Sequence, residues 1–139
     1  MLRTYLDAGV LIKAARGDNE LSASALRLID DENRQFVSSP FVQLEVLPKA
    51  IYHRQQAEAD FYQAFFTSVS EWTASVDDVI SEANRQASTF GLAAIDALHV
   101  AAALLLQADE LITTEKPTKP IYRVTGIKVL RLVADLITP

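Results

Sequence analysis

Three acidic residues occupy apolar parts of the chain, where an ionised side chain is unfavourable. Asp96 lies in an apolar run with no Lys or Arg between Gly91 and Ala108, and Asp7 and Glu45 stand in similar settings. An isolated carboxylate transferred from water to apolar surroundings is strongly destabilised, so a buried Asp or Glu is normally paired, coordinated or neutralised. The sequence therefore favours a partner for these acids, and a metal cation is the partner we expect.

A fourth acid, Glu115, closes the segment Glu-Leu-Ile-Thr-Thr-Glu. Four such carboxylates predict an oxygen-ligand site for a hard divalent cation, Mg²⁺ or Mn²⁺. Each acid alone also has a plainer explanation: a polar strand end, a solvated helix residue, a first-turn acid favoured by the helix dipole, or a loop acid. Their combination favours the metal site, with the candidate catalytic and metal-binding residues Asp7, Glu45, Asp96 and Glu115.

Composition limits the other possibilities. The 139 residues are half hydrophobic, which predicts a single domain over residues 1–139. A net charge of -5 gives no extended basic field, so any contact with nucleic acid must be local. The absence of Cys excludes disulfides and thiolate metal sites. We find no apolar run of signal-peptide or membrane-span length, and we expect a cytoplasmic protein without a membrane partner.

Short apolar segments alternate with helical patterns. Ser39-Pro40 predicts the start of a helix, with the Ser hydroxyl as its cap. Pro48 should end or kink that helix near Leu47, although Ala50 to His53 could continue it. A helix from Asp77 should end at Gly91, and an almost wholly apolar helix should follow it. The predicted strands are Leu2–Leu6, Phe36–Ser38, Val69–Thr73, Leu111–Thr113 and Lys128–Leu132.

Strands separated by helices predict right-handed crossovers and a mainly parallel sheet. The expected fold class is a three-layer α/β/α sandwich. Ligands in such folds bind at the carboxyl ends of the strands. Asp7 ends the first strand and Glu115 follows the fourth, while Glu45 and Asp96 lie on helices that could point towards the same edge. One crevice could therefore collect all four acids.

These residues also carry a resemblance to the PIN-domain nucleases, in particular the small single-domain toxins of the VapC type. The resemblance covers essentially the whole chain, and its most specific part surrounds Asp96. The segments similar to the four family motifs are Tyr5–Ile12, Leu44–Leu47, Ile95–Ala103 and Ala108–Glu115.

The resemblance implies a Mg²⁺- or Mn²⁺-dependent endoribonuclease, the toxin of a type II toxin–antitoxin pair, silenced by an antitoxin and acting as a homodimer. Two departures stand out. The family usually places Ser or Thr and then a small polar residue after the first acid, where this chain has Ala8 and Gly9, and its fourth acid is usually Asp rather than Glu115. The alternative is a PIN-fold binding or regulatory protein with weak or no catalysis. An aspartyl-phosphate phosphotransferase is disfavoured, because no second acid closely follows Asp7.

Further residues are candidates for supporting roles. Lys116, Lys119 and Arg123 follow the fourth acid and could contact RNA phosphates, although a solvated loop is equally consistent with them. His99 shares a helical face with Asp96, and a structural hydrogen bond is favoured over catalysis. Tyr62 and Phe66 form a second apolar helical face that a partner subunit could cover.

Overall fold

The computed structural model describes residues 1–17, 19–134 and 137–138. The strands are β1 Leu2–Leu6, β2 Arg34–Ser38, β3 Glu71–Trp72, β4 Glu110–Thr113, β5 Lys128–Leu132 and β6 Ile137–Thr138. Within the described residues they form one sheet in the order β3-β2-β1-β4-β5-β6. Neighbouring strands from β3 to β5 are parallel, and β6 is antiparallel to β5.

Helices cover both faces of the sheet, which confirms the three-layer α/β/α prediction. Helix α1 packs against α2, α3 and α4, whereas α5 packs against α6, and α6 contacts β2 and β4. A short 3-10 helix spans Pro120–Arg123 after β4. The helices are α1 Ala8–Arg16, α2 Glu20–Ile29, α3 Pro40–Tyr52, α4 Gln56–Ser68, α5 Val76–Phe90 and α6 Ala94–Leu105.

Local signals account for several helix ends. The Ser75 hydroxyl accepts the Asp78 N–H at the start of α5. Gly91 ends α5 with φ of 72°, a left-handed conformation that glycine adopts at low cost. The apolar pattern of the sequence predicts a helix from Val10, but α1 begins at Ala8 because the Asp7 side chain caps it.

The predicted cap of the helix after β2 is wrong, and of the alternatives left open for Pro48 the continued helix is the one observed. Ser39 is the N-cap residue of α3, but its side chain makes no capping hydrogen bond and instead bonds the Tyr5 hydroxyl at 2.7 Å. Pro48 does not end the helix, which continues to Tyr52. The buried Ala50 and the packing of α3 on α4 hold the turn beyond Pro48, and this offsets the missing backbone hydrogen bond.

The third strand is shorter than predicted. Only Glu71–Trp72 pairs with β2, since this strand lies at the edge of the sheet. The final strand, β6, was not predicted from the sequence. Both changes concern the margins of the sheet and leave its central strands as expected.

The apolar face assigned to a partner subunit is wrong as stated. Tyr62 is 0% exposed and Phe66 is 6% exposed, so both belong to the core of the monomer. The Tyr62 hydroxyl donates to Glu58 at 2.7 Å, and the Phe66 ring lies 5.6 Å from that of Trp72. These residues therefore offer no surface for self-association.

No single helix in the described ranges is long and apolar enough to cross a membrane. Helices α5 and α6 are together long and apolar enough, but they are bent by 117° relative to each other.

The strand order creates a switch point beside β1. The chain passes from β1 outward to β2 and β3, and then returns to the other side of β1 to form β4. In parallel sheets a crevice opens at the carboxyl ends of strands that diverge in this way. Asp7 follows β1 and Thr114 follows β4, so this crevice holds the candidate site.

Candidate functional site

Asp7 is anchored between β4 and α1. Its backbone N–H donates to Ile112 O at 3.1 Å, which extends the pairing of β1 with β4. One carboxylate oxygen accepts the Val10 N–H at 3.3 Å as the cap of α1, and the other accepts the Thr113 hydroxyl. Only 7% of the residue is exposed. Its carboxylate is therefore fixed at the switch point with little access to bulk water.

This environment makes the Asp7 carboxyl unusually basic. Burial raises the pKa of Asp7 to about 6, and the negative charge of Glu115 adds to the increase. The hydrogen bonds from Thr113 and Val10 and the nearby His99 oppose the shift. Near neutral pH such a group readily takes up a proton or a cation.

Asp96 lies in the first turn of α6 and is half-buried. Burial and the negative charge of Glu115 raise the pKa of Asp96, while His99 and Lys119 act in the opposite direction. Within the described ranges, its side chain makes no hydrogen bond or ion pair. The carboxylate is thus free to bind a ligand.

Glu115 is held through its backbone. Its N–H donates to the Thr113 hydroxyl at 3.1 Å, and its carbonyl accepts the Tyr122 hydroxyl at 2.6 Å. Its charge raises the pKa of both Asp7 and Asp96, so these three acids share one electrostatic site. Tyr122 lies beside them: burial raises its pKa to about 12, and the charges of the three acids contribute.

Glu45, on α3, is bound differently. Its carboxylate is hydrogen bonded to His99 Nε2, and His99 Nδ1 lies 2.8 Å from the Tyr5 hydroxyl. Tyr5 and His99 are buried, and the Tyr5 hydroxyl also bonds Ser39 at 2.7 Å. The hydrogen-bonding role predicted for His99 agrees with this geometry. The chain Ser39–Tyr5–His99–Glu45 joins β1, α3 and α6.

The acids approach one another without forming a closed ligand cage. In the part of the chain that the structure describes, no three Asp, Glu or His side chains are placed to hold one metal ion. The charge of Glu115 raises the pKa of both Asp7 and Asp96, and the charge of Glu45 also raises that of Asp96, although the Glu45 carboxylate is hydrogen bonded to His99. The donors are all carboxylate oxygens, and the pKa values of Asp7 and Asp96 are raised. Such a set nevertheless fits a hard cation, which would relieve the repulsion between the carboxylates.

The three basic residues after Glu115 are exposed. Lys119 lies near enough to Asp96 to lower its pKa. Arg123, in the 3-10 helix, comes within 3.9 Å of the position a Cβ atom would take on Gly91. Lys119 therefore lies at the mouth of the crevice, and Lys116 and Arg123 lie on the same exposed segment.

Sequence reasoning missed the neutral residues that hold the acids in place. Thr113 had a recognisable signal, because it ends a parallel strand at the same edge as Asp7. Ser39 had the same signal, but its hydroxyl was assigned to the helix cap. Tyr5 carried no signal of its polar role, since an aromatic residue in a strand normally indicates core packing. The residues missed at the site are Tyr5, Ser39, Thr113 and Tyr122.

A protein-family model and several solved structures match this chain. The family model described as "PIN domain" matches residues 4–119. A search of curated proteins finds no significant match. Solved structures show the same fold at low sequence identity.

Three of these structures are similar over nearly their whole length. VapBC2 from Rickettsia felis, bound to a promoter DNA fragment, has a TM-score of 0.72 and 13% identity, covering 94% of this chain and 98% of that chain. DNA-bound VapBC from Salmonella typhimurium has a TM-score of 0.71 and 13% identity, with 96% and 100% covered. A toxin–antitoxin complex from Klebsiella pneumoniae has a TM-score of 0.70 and 19% identity, with 89% and 94% covered.

Proposed function

Because the chain belongs to the PIN domain family, we propose that it is a divalent-metal-dependent endoribonuclease that cleaves RNA phosphodiester bonds. The observation that carries the proposal is the buried Asp7 carboxylate with a pKa of about 6, at the switch point of the sheet and within the electrostatic reach of Glu115. The Asp96 carboxylate, which makes no hydrogen bond within the described residues, responds to the same Glu115 charge. A cation bound among these acids would offset their mutual repulsion.

The proposed roles follow from how each side chain is held. Asp7, Asp96 and Glu115, together with Glu45, would bind Mg²⁺ or Mn²⁺, which when bound supplies an activated water and neutralises charge on the phosphate. Thr113 fixes the orientation of Asp7, and His99 fixes that of Glu45.

The basic segment provides the contact with substrate. The exposed Lys116, Lys119 and Arg123 would bind RNA phosphates beside the acids. Because the chain is acidic overall, this short segment is the place where attraction to RNA would be concentrated.

We also propose that the chain is the toxin of a type II toxin–antitoxin pair. The similar structures are described as VapBC or toxin–antitoxin complexes, and this motivates an antitoxin partner. The test is co-expression with the protein encoded by the neighbouring reading frame. We expect a stable complex with suppressed ribonuclease activity. If that protein neither binds nor inhibits, the toxin assignment fails while the nuclease assignment stands.

Three broader expectations remain predictions: one domain over residues 1–139, a cytoplasmic location and a homodimer. The dimer loses the support drawn from Tyr62 and Phe66, which are buried. Sedimentation at micromolar concentration tests it directly, and a monomer there would remove the claim.

A PIN-fold binding or regulatory protein is the second candidate. The observation that favours it is the engagement of Glu45 by His99, which leaves the four acids short of a common ligand cage. The two candidates differ in one experiment, incubation of single-stranded RNA with Mn²⁺ or with EDTA. The nuclease cleaves only with the metal, whereas the binding protein leaves RNA intact in both.

A further inference from the structure

The space around Gly9 is already occupied by another residue. Gly9 is the second residue of α1, and a Cβ atom built on it would overlap the Thr114 hydroxyl oxygen. The same point lies 3.3 Å from Thr114 Cβ and 3.4 Å from Asp7 Oδ1. The Thr114 hydroxyl thus fills the volume of a side chain at position 9, next to the Asp7 carboxylate.

The two neighbouring threonines use their hydroxyls differently. Thr113 donates to Asp7 and accepts the Glu115 N–H, so its hydroxyl is fully engaged. Thr114 is only half-buried, and its hydroxyl has no hydrogen-bond partner among the residues that the structure describes. A hydroxyl can both donate and accept, so Thr114 presents an unused polar group beside the candidate ligands.

We propose that Thr114 is a further residue of the cation site, which rests on the proposed nuclease function. Its hydroxyl supplies the polar oxygen that Ala8 and Gly9 lack, and it holds a water molecule of the hydrated ion beside Asp7. Mg²⁺ normally keeps several of its waters in protein sites, so such a contact contributes to affinity without direct coordination. A side chain at position 9 would displace this hydroxyl from its present place.

Mn²⁺ affinity, measured by calorimetry on the whole protein, tests the proposal. Thr114→Val removes the hydroxyl and preserves the shape, and we expect its Mn²⁺ affinity to fall roughly 10-fold. Thr114→Ser should retain wild-type affinity. Thr125→Val is the matched control, because Thr125 is exposed in a different loop, and it should bind like wild type.

A second pair of variants moves the hydroxyl between positions. Gly9→Ala should weaken Mn²⁺ binding as much as Thr114→Val, because the added methyl displaces the hydroxyl. The double variant Thr114→Ala with Gly9→Ser should restore affinity relative to Thr114→Ala alone. The double variant fills the volume that the Thr114 hydroxyl occupies in wild type, so the comparison holds even if a single variant folds poorly.

Failure of the role proposed for Thr114 and failure of the proposed cation site give different results. If wild type binds Mn²⁺, Asp96→Asn does not, and Thr114→Val binds like wild type, the role of Thr114 is overturned and the cation site stands. If wild type and Asp96→Asn bind Mn²⁺ equally, or neither binds it, the cation site itself fails. Weakened binding in Thr114→Val with recovery in the double variant supports the proposal.

Discussion

His99 holds the carboxylate of Glu45 through Nε2, while its Nδ1 lies 2.8 Å from the Tyr5 hydroxyl. Burial raises the pKa of Tyr5, so this hydroxyl stays protonated and can donate to Nδ1. When Nδ1 accepts from Tyr5, Nε2 carries a proton and donates it to Glu45. Ser39 completes the chain by donating to the Tyr5 oxygen. Glu45 is thereby positioned from the core of the protein.

His99→Ala should lower both turnover and Mn²⁺ affinity roughly 10- to 100-fold, because Glu45 loses the group that orients it. His53→Ala is the matched control, since that histidine is exposed at the end of α3. RNA cleavage and calorimetry measure the two effects. Unchanged Mn²⁺ affinity in a folded His99→Ala protein would show that Glu45 needs no such support.

Asp96→Asn should raise the melting temperature of the metal-free protein and reduce the stabilisation that Mn²⁺ provides. The substitution removes one of several mutually repelling charges, and a cation that binds only the folded state stabilises it in proportion to its affinity. Thermal melting in EDTA and in Mn²⁺ measures both changes. A variant that melts below wild type in EDTA and keeps the full Mn²⁺ shift would argue against a shared site.

The stability of the metal-free protein should fall as the pH rises from about 4 to about 6. The pKa of Asp7 is about 6 in the folded protein against an ordinary value of 3.8, so in this window the folded state holds a proton that the unfolded chain has released. Stability falls with pH wherever the folded state binds more protons. The contribution of this one group is on the order of 2 to 3 kcal/mol.

Asp7→Asn isolates that contribution. Asn also caps helices well, so α1 should keep its start while the ionisable group disappears. The variant should show a flatter dependence of unfolding free energy on pH, measured by denaturant titration with EDTA present. Equal slopes for the variant and wild type would mean that Asp7 does not titrate in this range.

The sequence was informative about burial. Acids in apolar segments predicted an unfavourable setting for Asp7 and Asp96, and burial raises the pKa of both. It was less informative for Ser39, whose hydroxyl could either cap α3 or bond another side chain. In the structure it bonds the hydroxyl of the buried Tyr5. Tyr62 and Phe66 were misjudged because helical periodicity does not reveal how many elements pack around a helix. The role we propose for Thr114 could not be found from the sequence, since it depends on the space beside Gly9.

Replacing Lys116, Lys119 and Arg123 with Gln should weaken RNA binding and reduce its dependence on salt, because fewer phosphate contacts release fewer counterions. RNA affinity is measured at several salt concentrations with proteins that also carry Asp7→Asn. Because that substitution should abolish turnover, the measurement separates binding from cleavage. Lys128→Gln is the control. That exposed residue begins β5, at the amino-terminal ends of the parallel strands, whereas the candidate site lies at their carboxyl ends. An unchanged salt dependence in the triple variant would remove the basic segment from the RNA interface.

RNA cleavage by wild type and by Asp96→Asn, purified identically, tests the central claim most directly. The comparison excludes a contaminating ribonuclease, because any contaminant would be present in both preparations. We expect wild type to cleave single-stranded or loop RNA with Mg²⁺ or Mn²⁺, to stop in EDTA, and to lose turnover in Asp96→Asn, with Glu115→Gln reducing it less. Equal cleavage by both proteins, or no cleavage by either across a broad panel of structured RNAs at millimolar Mn²⁺, would contradict the nuclease assignment.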